Sequence, residues 1–397
     1  MFNQLQPVPT DPILGLMTEY KADTNPKKVD LSVGVYKNEV GNTPVLAAVK
    51  KAEEYRFNNE QSKAYLGMAG DVKFNELMTN LLFGESDAVN SGRVKTAQTP
   101  GGTGALRVAA EFIARCNPSA KIWVTDPTWA NHISIFNAAG LQVEKFPYFD
   151  FETMGLKFDQ TIEVLNKVPS GDIVLLHACC HNPSGMDLNI QQWQTVADIA
   201  KKQGFTILVD SAYQGFGHGL NEDAAGLRLL ASQVDEMIVC SSCSKNFGLY
   251  RDRVGAISIL GTSSAKTEVA FSVILNVVRA IYSMPPAHGA DIVATILSSQ
   301  ELTSLWHTEL DEMRTRINGL RSFVVNKFKE KNVPGNFDFI ANQNGMFSFL
   351  GIDKESITTL KTDYSIYIVG SSRVSIAGVN DSNADYLAES LAKVLTK

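Results

Sequence analysis

The sequence predicts an α/β protein of two domains, and three features of its 397 residues lead to this prediction. The length exceeds the usual size of a single domain. In the middle of the chain, short apolar runs alternate with longer amphipathic segments, a pattern typical of a mainly parallel sheet with helices on both faces. Near residue 300 this alternation gives way to one long helical pattern, which we expect to connect the two domains.

Four apolar runs are the expected strands of the central sheet. They cover residues 121–124, 172–177, 206–209 and 236–240, and helical patterns such as residues 190–204 separate them. Polar, glycine or proline residues follow each run, at 126–127, 181–183, 210 and 244–245. Ligands of such sheets bind outside the carboxyl ends of the strands, so we expect these loop residues to converge on one crevice.

The C-terminal part of the chain begins with the long helical pattern. Apolar residues recur along one face at steps of three and four: Leu302, Trp306, Leu310, Met313, Ile317 and Leu320. Short strands at 346–350 and 373–376 and a terminal helix then predict a smaller α/β domain. We therefore divide the chain into an N-terminal arm (1–11), a first part of the small domain (12–43), a large domain (44–310) and a second part of the small domain (311–397).

Composition excludes several classes of protein. The net charge of −6 gives no basic surface for nucleic acid or anionic lipid. No apolar run approaches the ~18 residues that a membrane span needs, and the N-terminal residues lack the pattern of an export signal. The five cysteines are an odd number and do not form the pattern of a disulfide framework. We expect a soluble cytoplasmic protein that binds neither nucleic acid nor membranes.

Three segments are candidates for carrying chemistry. Lys245 follows an apolar strand, where a charged amine is costly to bury unless it reacts with an aldehyde. The glycine-rich turn 98–106 leads into a helix whose free N–H groups suit a phosphate. Asp210 ends an apolar run, and a protonated pyridine nitrogen is a possible partner for its carboxylate. Each alone has an ordinary explanation, as a surface lysine, a common glycine turn and a helix-capping acid.

Taken together, these segments resemble class I aminotransferases and, within them, the bacterial aspartate aminotransferases. The most specific motifs are residues 244–250 (Ser-Lys-Asn-Phe-Gly-Leu-Tyr) with Arg253, residues 181–185 (His-Asn-Pro-Ser-Gly), and residues 210–216 (Asp-Ser-Ala-Tyr-Gln-Gly-Phe). The resemblance runs nearly end to end. It implies fold type I, with a large domain built on a mainly parallel seven-stranded sheet flanked by helices, a smaller α/β domain, and pyridoxal 5′-phosphate as the cofactor.

The resemblance also implies roles for individual residues around that cofactor. Lys245 would hold it as a Schiff base and later move the substrate's Cα proton, and Asp210 would keep its ring nitrogen protonated. Tyr213 and Asn182 would donate hydrogen bonds to its phenolate oxygen. The remaining implied cofactor-binding residues are Gly101, Gly102, Thr103, Ser242, Ser244 and Arg253 around the phosphate, Trp129 stacked on the ring, and Tyr65.

Substrate recognition is expected to depend on two arginines, because a guanidinium group holds a carboxylate in a bidentate pair. Arg373 matches the family residue for the α-carboxylate, and Arg279 matches the one for the side-chain carboxylate. The predicted substrate site also contains Gly34, Trp129 and Asn182, and no metal is expected. In this family the residues that match Tyr65 and Arg279 reach the neighbouring subunit's site, so the resemblance implies a homodimer.

The reaction implied is a ping-pong amino transfer between L-aspartate or L-glutamate and the matching 2-oxo acids. The nearest alternative is an aromatic aminotransferase acting on tyrosine and phenylalanine. A cofactor-dependent lyase or decarboxylase on the same fold is a third reading. Departures from the family pattern at Ser184, Ser211, Cys243 and Met284 leave fine specificity open.

The cysteines raise the question of functions from other chemical classes, such as redox chemistry and metal binding. Cys240 and Cys243 have redox spacing, but they lie within the lysine segment, and we expect two structural thiols. Cys179 and Cys180 should point to opposite faces if their strand continues, which argues against a shared metal. A nucleotide-binding protein is also disfavoured, because the glycine turn lacks the third glycine of the dinucleotide fingerprint and no phosphate-loop lysine follows it.

Overall fold

The protein is described here from a computed structural model that covers residues 2–7 and 12–396. Residues 1 and 8–11 of the predicted N-terminal arm lie outside the described residues. The helices α1 to α14 span, in chain order, Pro12–Ala22, Ala47–Asn59, Val72–Phe83, Asp87–Asn90, Gly101–Cys116, Ala130–Ala138, Phe158–Leu165, Ile190–Gln203, Ala225–Gln233, Ser264–Ile281, Ala287–Ser298, Gln300–Glu330, Lys354–Tyr364 and Asp381–Leu395. Short 3-10 helices span Phe2–Gln4, Asp338–Asn342 and Ile376–Gly378.

Thirteen strands complete the secondary structure of the described residues. The strands β1 to β13 span Val29–Asp30, Val94–Pro100, Lys121–Asp126, Gln142–Pro147, Phe149–Asp150, Gly155–Leu156, Ile173–His177, Thr206–Ser211, Met237–Ser242, Val254–Leu260, Phe347–Phe349, Ile366–Tyr367 and Arg373–Ser375. Within the described ranges, no helix is both long and apolar enough to cross a bilayer.

The central sheet has seven strands in the order β2-β10-β9-β8-β7-β3-β4. Strand β10 runs antiparallel to both of its neighbours, and every other neighbouring pair is parallel. Successive residues of β8 face opposite sides: Val209 packs in one buried cluster and Leu208 in another. The predicted α/β class and the mainly parallel seven-stranded sheet are confirmed.

All four predicted strands are present, and three of them, β3, β8 and β9, continue two residues beyond their last predicted residue. Strand β8 includes Asp210 and Ser211, and β9 includes Ser241 and Ser242. The ladder continues because these polar residues are buried and paired, with Asp210 opposite Cys240 and Ser211 opposite Ser241. Some of the polar residues that were predicted to follow the strands, such as Asp210, are therefore the last residues of the strands.

Helix α8 shows how local sequence sets helix ends. Asn189 caps its first turn through a capping box with Gln192, whose backbone N–H donates to Asn189 Oδ1 at 2.9 Å. The helix ends where Gly204 adopts a left-handed conformation with φ of 80°. These signals account for the agreement between the predicted segment 190–204 and the observed helix.

Helix α12 contributes residues to two hydrophobic cores. It has 31 residues, and all six residues of the predicted apolar face are buried. Residues from Leu302 to Ile317 belong to a cluster of the central region, whereas Leu320, Val324 and Phe328 belong to a cluster near the C-terminus. Trp306 stacks on Phe247 at a centroid distance of 4.3 Å, which attaches the helix to the segment that carries Lys245.

The second core joins N-terminal and C-terminal segments. Strand β1 pairs with β12 in parallel, and β11 pairs with β13 in antiparallel orientation. Leu31 from the N-terminal part packs in the same cluster as Ile357 and Leu391. The division at residues 12–43, 44–310 and 311–397 stays a prediction.

The expectation that Cys179 and Cys180 face opposite sides of a strand is wrong. Strand β7 ends at His177, and Cys180 has a positive φ of 51° that breaks the alternation. Both thiols are instead close to one carboxylate oxygen of Asp223, with the three ligand atoms within 4.8 Å of one another.

Candidate active site

A cavity of about 480 Å³ lies at the carboxyl ends of β7, β8 and β9, beside the start of α5. The predicted site residues that line it are Gly34, Gly102, Thr103, Trp129, Asn182, Asp210, Tyr213, Ser242, Ser244, Lys245, Arg253 and Arg373. Segments far apart in sequence therefore meet in one crevice, as expected for the carboxyl ends of parallel strands.

Lys245 comes three residues after the end of β9, and its side chain lines this cavity. Burial lowers the pKa of its amine to about 8, with a smaller lowering effect from the charge of Arg253 and against the raising effect of Asp210. The Nζ atom lies 4.5 Å from the centroid of the Tyr213 ring. A lysine with a pKa near 8 is partly neutral at physiological pH, which a nucleophilic amine requires.

Asp210 is held in the opposite charge state by its neighbours. Burial by itself raises the pKa of its carboxyl group, but the hydrogen bond and charge of His132, with smaller contributions from His177 and Lys245, bring that pKa below its ordinary value. His132 Nε2 lies 2.9 Å from Asp210 Oδ2, and His132 Nδ1 lies 2.8 Å from Thr128 Oγ1. The carboxylate is thus ionised, buried and available to a cation in the cavity.

His177 is a neutral neighbour of this pair. Burial, with a smaller contribution from the charge of His132, lowers the pKa of its imidazole to about 3 against the raising effect of Asp210. The rings of His132 and His177 are 5.3 Å apart. The imidazole of His177 therefore lies beside the Asp210 carboxylate without adding a charge.

Arg373 and its contacts form the wall opposite the lysine segment. Its Nη2 donates to Ser32 O at 2.8 Å, and its Nη1 donates to Asn182 Oδ1 at 3.3 Å. The guanidinium lies over the ring of Phe347, 4.3 Å from the centroid. A Cβ atom at Gly34 would lie 2.5 Å from Phe347 Cζ, which is too close for two non-bonded atoms. Because Gly34 has no side chain, the Phe347 ring has room to lie beneath the guanidinium of Arg373.

Tyr213 contributes a protonated hydroxyl group to the cavity. Burial raises the pKa of the phenol far above its ordinary value, and the charge of Arg373 opposes this only in part. The hydroxyl is therefore a hydrogen-bond donor at every physiological pH. Its ring also packs edge-on against Phe347, at a centroid distance of 6.1 Å.

The start of α5 forms an anion-binding cradle. The helix begins at Gly101 with no side-chain cap, so its first N–H groups face the cavity end. A Cβ atom at Gly101 would collide with the guanidinium of Arg253, and one at Gly102 would lie 3.0 Å from Ser242 Cβ. Ser244 Oγ lies 3.1 Å from Ser242 Oγ and 3.5 Å from Arg253 Nη1. Helix, hydroxyl and guanidinium donors together fit a phosphate monoester.

Three predicted residues do not line the cavity of their own chain. Tyr65 is 94% exposed, and Arg279 is exposed near the end of α10, where it hydrogen-bonds to Ser283. Gly101 is part of the anion-binding cradle, but it does not line the cavity. The part of the predicted site that depends on a neighbouring subunit thus stays a prediction.

Several lining residues have no predicted role in the sequence analysis: His177, Leu106, Ala212, Tyr250 and Phe347, with Ile13 and Leu14 of α1. His132 supports the site from behind, by contacting Asp210. One sequence signal was available for His177, because it ends an apolar strand beside the strand of Asp210. Nothing comparable marks Phe347 or α1, which come from segments far away in sequence.

Two of the positions that depart from the family pattern, Ser184 and Cys243, are buried and make side-chain contacts. Ser184 Oγ lies 2.7 Å from His181 Nδ1. Cys243 is buried with its sulfur 3.9 Å from that of Met78, whereas Cys240 packs in a different cluster. Both are free thiols, as the structural reading expects.

Known proteins that are similar to this chain support the same interpretation of the site. Residues 26–391 match the family described as aminotransferase class I and II. The chain is 49% identical over 396 residues to the aspartate aminotransferase of Escherichia coli (strain K12), with 100% of both chains covered. It is 43% identical over 394 residues to the aromatic-amino-acid aminotransferase of Paracoccus denitrificans, covering 99% of this chain and 100% of that relative.

One solved structure that is similar to this protein contains the cofactor. The aromatic-amino-acid aminotransferase from Burkholderia pseudomallei, covalently bound to pyridoxal phosphate, superimposes with a TM-score of 0.97 at 42% identity, covering 100% of this chain and 99% of that one. Fold and site together define a pyridoxal-phosphate-dependent enzyme of fold type I. The chain belongs to the class I and II aminotransferase family, and it is a transaminase.

Proposed function

We propose that this transaminase transfers the amino group between L-aspartate or L-glutamate and 2-oxoglutarate or oxaloacetate in a ping-pong cycle. The observation that carries the proposal is the meeting of Lys245, Asp210 and Arg373 in one cavity beside the anion cradle. The relative from Escherichia coli named aspartate aminotransferase supports the substrate class.

The predicted residues that line the cavity each have a physical task in this proposal. When bound, pyridoxal phosphate supplies an electron sink for the negative charge that develops at the substrate's Cα. Lys245 holds the cofactor covalently and, once displaced as a neutral amine, moves the Cα proton. Asp210 keeps the pyridine nitrogen protonated, and His132 orients that carboxylate. Tyr213 and Asn182 donate hydrogen bonds to the phenolate oxygen of the cofactor. Tyr213 can act as a donor because its hydroxyl group stays protonated.

The anion cradle and Trp129 position the cofactor in the same proposal. The start of α5 with Gly101, Gly102 and Thr103, and the side chains of Ser242, Ser244 and Arg253, hold the phosphate. Trp129 precedes α6 and packs edge-on against His132 at 5.2 Å, so its ring is fixed at the cavity wall for stacking.

We further propose a homodimer in which each chain supplies Arg279 and Tyr65 to its partner's site. Arg373 would bind the α-carboxylate and Arg279 the side-chain carboxylate, giving a dicarboxylate two guanidinium partners. Helix α2 and the segment after it expose Tyr55, Phe57 and Tyr65, with Phe57 88% exposed. Such exposed aromatic groups are typical of a surface that a partner covers. The free thiols of the described residues support a reducing cytoplasm as the location.

An aromatic aminotransferase is the second candidate, because Leu106, Trp129 and Phe347 give the cavity apolar walls. The test is to compare kcat/KM for L-aspartate and L-phenylalanine with 2-oxoglutarate as acceptor. The dicarboxylate assignment predicts a value for aspartate at least ~10-fold higher, which corresponds to about 1.4 kcal/mol of transition-state stabilisation. A higher kcat/KM for phenylalanine would instead assign the protein to the aromatic aminotransferases.

A further inference from the structure

A second group of potential ligand atoms lies outside the active site. Cys179 and Cys180 follow strand β7, and their thiols lie within 4.8 Å of each other and of a carboxylate oxygen of Asp223. All three residues are buried. None of them lines the cavity that contains Lys245, so the proposed transamination leaves this group without a task.

The backbone holds these three side chains in place. Cys180 has a φ of 51°, and its thiol lies within 4.8 Å of that of Cys179. Backbone N–H groups of Gly215 and Gly217 donate to Asp223 Oδ2 at 2.8 and 2.9 Å, and that of His218 donates to Oδ1 at 2.8 Å. Asp223 Oδ1 therefore accepts one backbone hydrogen bond and retains a lone pair for a cation.

A separate cavity of about 280 Å³ gives access to the group. Cys179 and Asp223 line it, together with Asp187, His218 and Glu222. Most of these side chains are acidic or can donate an electron pair to a metal, so the approach to the thiols favours a cation.

A buried positive charge lies next to the group. Arg321 is almost fully buried, and the hydrogen bonds described for its guanidinium go to the carbonyl oxygens of Ile340, Asn344, Gly345 and Phe347. Burial lowers the pKa of Arg321 to about 10, while the charges of Cys180 and Asp187 oppose that shift. A buried cation with carbonyl partners is stabilised by a nearby site of net negative charge.

We propose that Cys179, Cys180 and Asp223 form a binding site for Zn²⁺. Two thiolates and one carboxylate carry a charge of −3, so the three ligands with bound Zn²⁺ carry −1, opposite in sign to the charge of Arg321. Binding replaces two S–H bonds by two Zn–S bonds and releases two protons to solvent, with no oxidation or reduction. Zn–S bonds of ~2.3 Å place two sulfur ligands ~3.8 Å apart, which the observed spacing permits, and the cavity leaves room for a water molecule as fourth ligand.

The site should bind metal more tightly as the pH rises, because both thiols lose a proton when they become ligands of the metal. We expect log Kd to fall by up to about two per pH unit.

The test uses the holoprotein and Cd²⁺, a spectroscopic substitute for Zn²⁺ whose thiolate complexes absorb in the ultraviolet. After desalting, the wild type should retain about one Cd²⁺ per chain with a thiolate absorbance band, and Zn²⁺ should displace it. Cys179→Ser should weaken binding at least ~10-fold, whereas the control Cys116→Ser, at an exposed cysteine, should bind as the wild type does. Transaminase activity of Cys179→Ser without metal verifies that this variant is folded.

The result that overturns the proposal is the absence of a thiolate band in the wild type, or a band of equal strength in Cys179→Ser. A measurement on the wild type alone gives a second test: titration with Zn²⁺ in weak buffer should release about two protons per bound ion. Release of no protons would contradict thiolate ligation even if Cys179→Ser failed to fold. Neither measurement depends on the proposed amino transfer.

Discussion

Lys245 and Asp210 face the same cavity, yet their surroundings shift their pKa values to serve different purposes. Burial brings the pKa of the lysine to about 8, whereas the contact with His132 keeps the aspartate ionised. A neutral amine and a fixed negative charge are therefore present together near neutral pH. The sequence predicts both residues from their positions after apolar strands. It does not predict His132, because a histidine inside a helix carries no local signal that it contacts a carboxylate on another strand.

The pKa of Lys245 predicts how the apoprotein captures its cofactor. The rate at which pyridoxal phosphate attaches should rise about 10-fold per pH unit below pH 8 and level off above it, because only the neutral amine reacts. Stopped-flow absorbance between about pH 6 and about pH 10 measures this rate. A rate that still rises 10-fold per unit near pH 10 would show that the amine has the ordinary pKa of a lysine.

Replacing Asp210 tests the charge assigned to it. Asp210→Asn keeps the shape of the side chain but removes the charge beside the cofactor ring, and loss of one buried charge partner costs about 3–5 kcal/mol. We expect kcat for aspartate to fall by about 10² or more. The control is Asp126→Asn, since Asp126 also ends a strand of the sheet but is exposed and paired with Lys145 at 3.2 Å. Equal kcat values for the two variants would exclude Asp210 from the chemistry.

At the scale of elements, the ends of strands and helices place the site. Strand positions follow from the sequence, because apolar runs and helical periodicity specify the sheet and α12. The strand ends do not, because Asp210 and Ser242 are polar residues that still pair in the ladder. Gly34 and Phe347 meet beneath Arg373 through the packing of N-terminal and C-terminal segments. Contacts of such long range depend on the complete fold, which local patterns do not encode.

Helix α12 is expected to stabilise the lysine segment directly. Trp306 Nε1 donates to Asn246 O at 2.7 Å, and Trp306→Phe removes this buried hydrogen bond while keeping an aromatic ring against Phe247. The unpaired carbonyl should lower the free energy of unfolding by about 1–3 kcal/mol in denaturant titration. The control is Trp193→Phe, another buried tryptophan for which no indole hydrogen bond is described. An effect no larger than that of the control would contradict the assigned contact.

At the scale of the molecule, the proposed site needs two chains. Arg279 and Tyr65 lie outside the cavity of their own chain, and exposed aromatic residues on α2 indicate a covered surface. One chain contains all the residues assigned to cofactor binding except Tyr65. In the proposed dimer, Tyr65 and Arg279, which is assigned to the substrate's second carboxylate, come from the partner chain. Specificity for dicarboxylates is therefore a property of the assembly in this account.

Mixed dimers test that property. Lys245→Ala and Arg279→Leu chains should each be nearly inactive on aspartate as homodimers, because every site lacks one essential group. In a mixed dimer, one site has both Lys245 and Arg279 intact, and random pairing makes half of the dimers mixed. Co-expression should therefore restore about a quarter of wild-type activity. The matched control pairs Lys245→Ala with Asp210→Asn, which damages both sites of a mixed dimer and should restore nothing. Equal activity in the two mixtures would contradict the shared site.

The most direct test of the central claim is an absorbance spectrum of the holoprotein before and after L-aspartate is added without any oxo acid. The account predicts that the band of the lysine-bound cofactor shifts to shorter wavelength, that one equivalent of oxaloacetate per site is released, and that 2-oxoglutarate restores the first spectrum. Lys245→Ala should lack the initial band. An unchanged spectrum, or continued product release without an acceptor, would contradict amino transfer by this site.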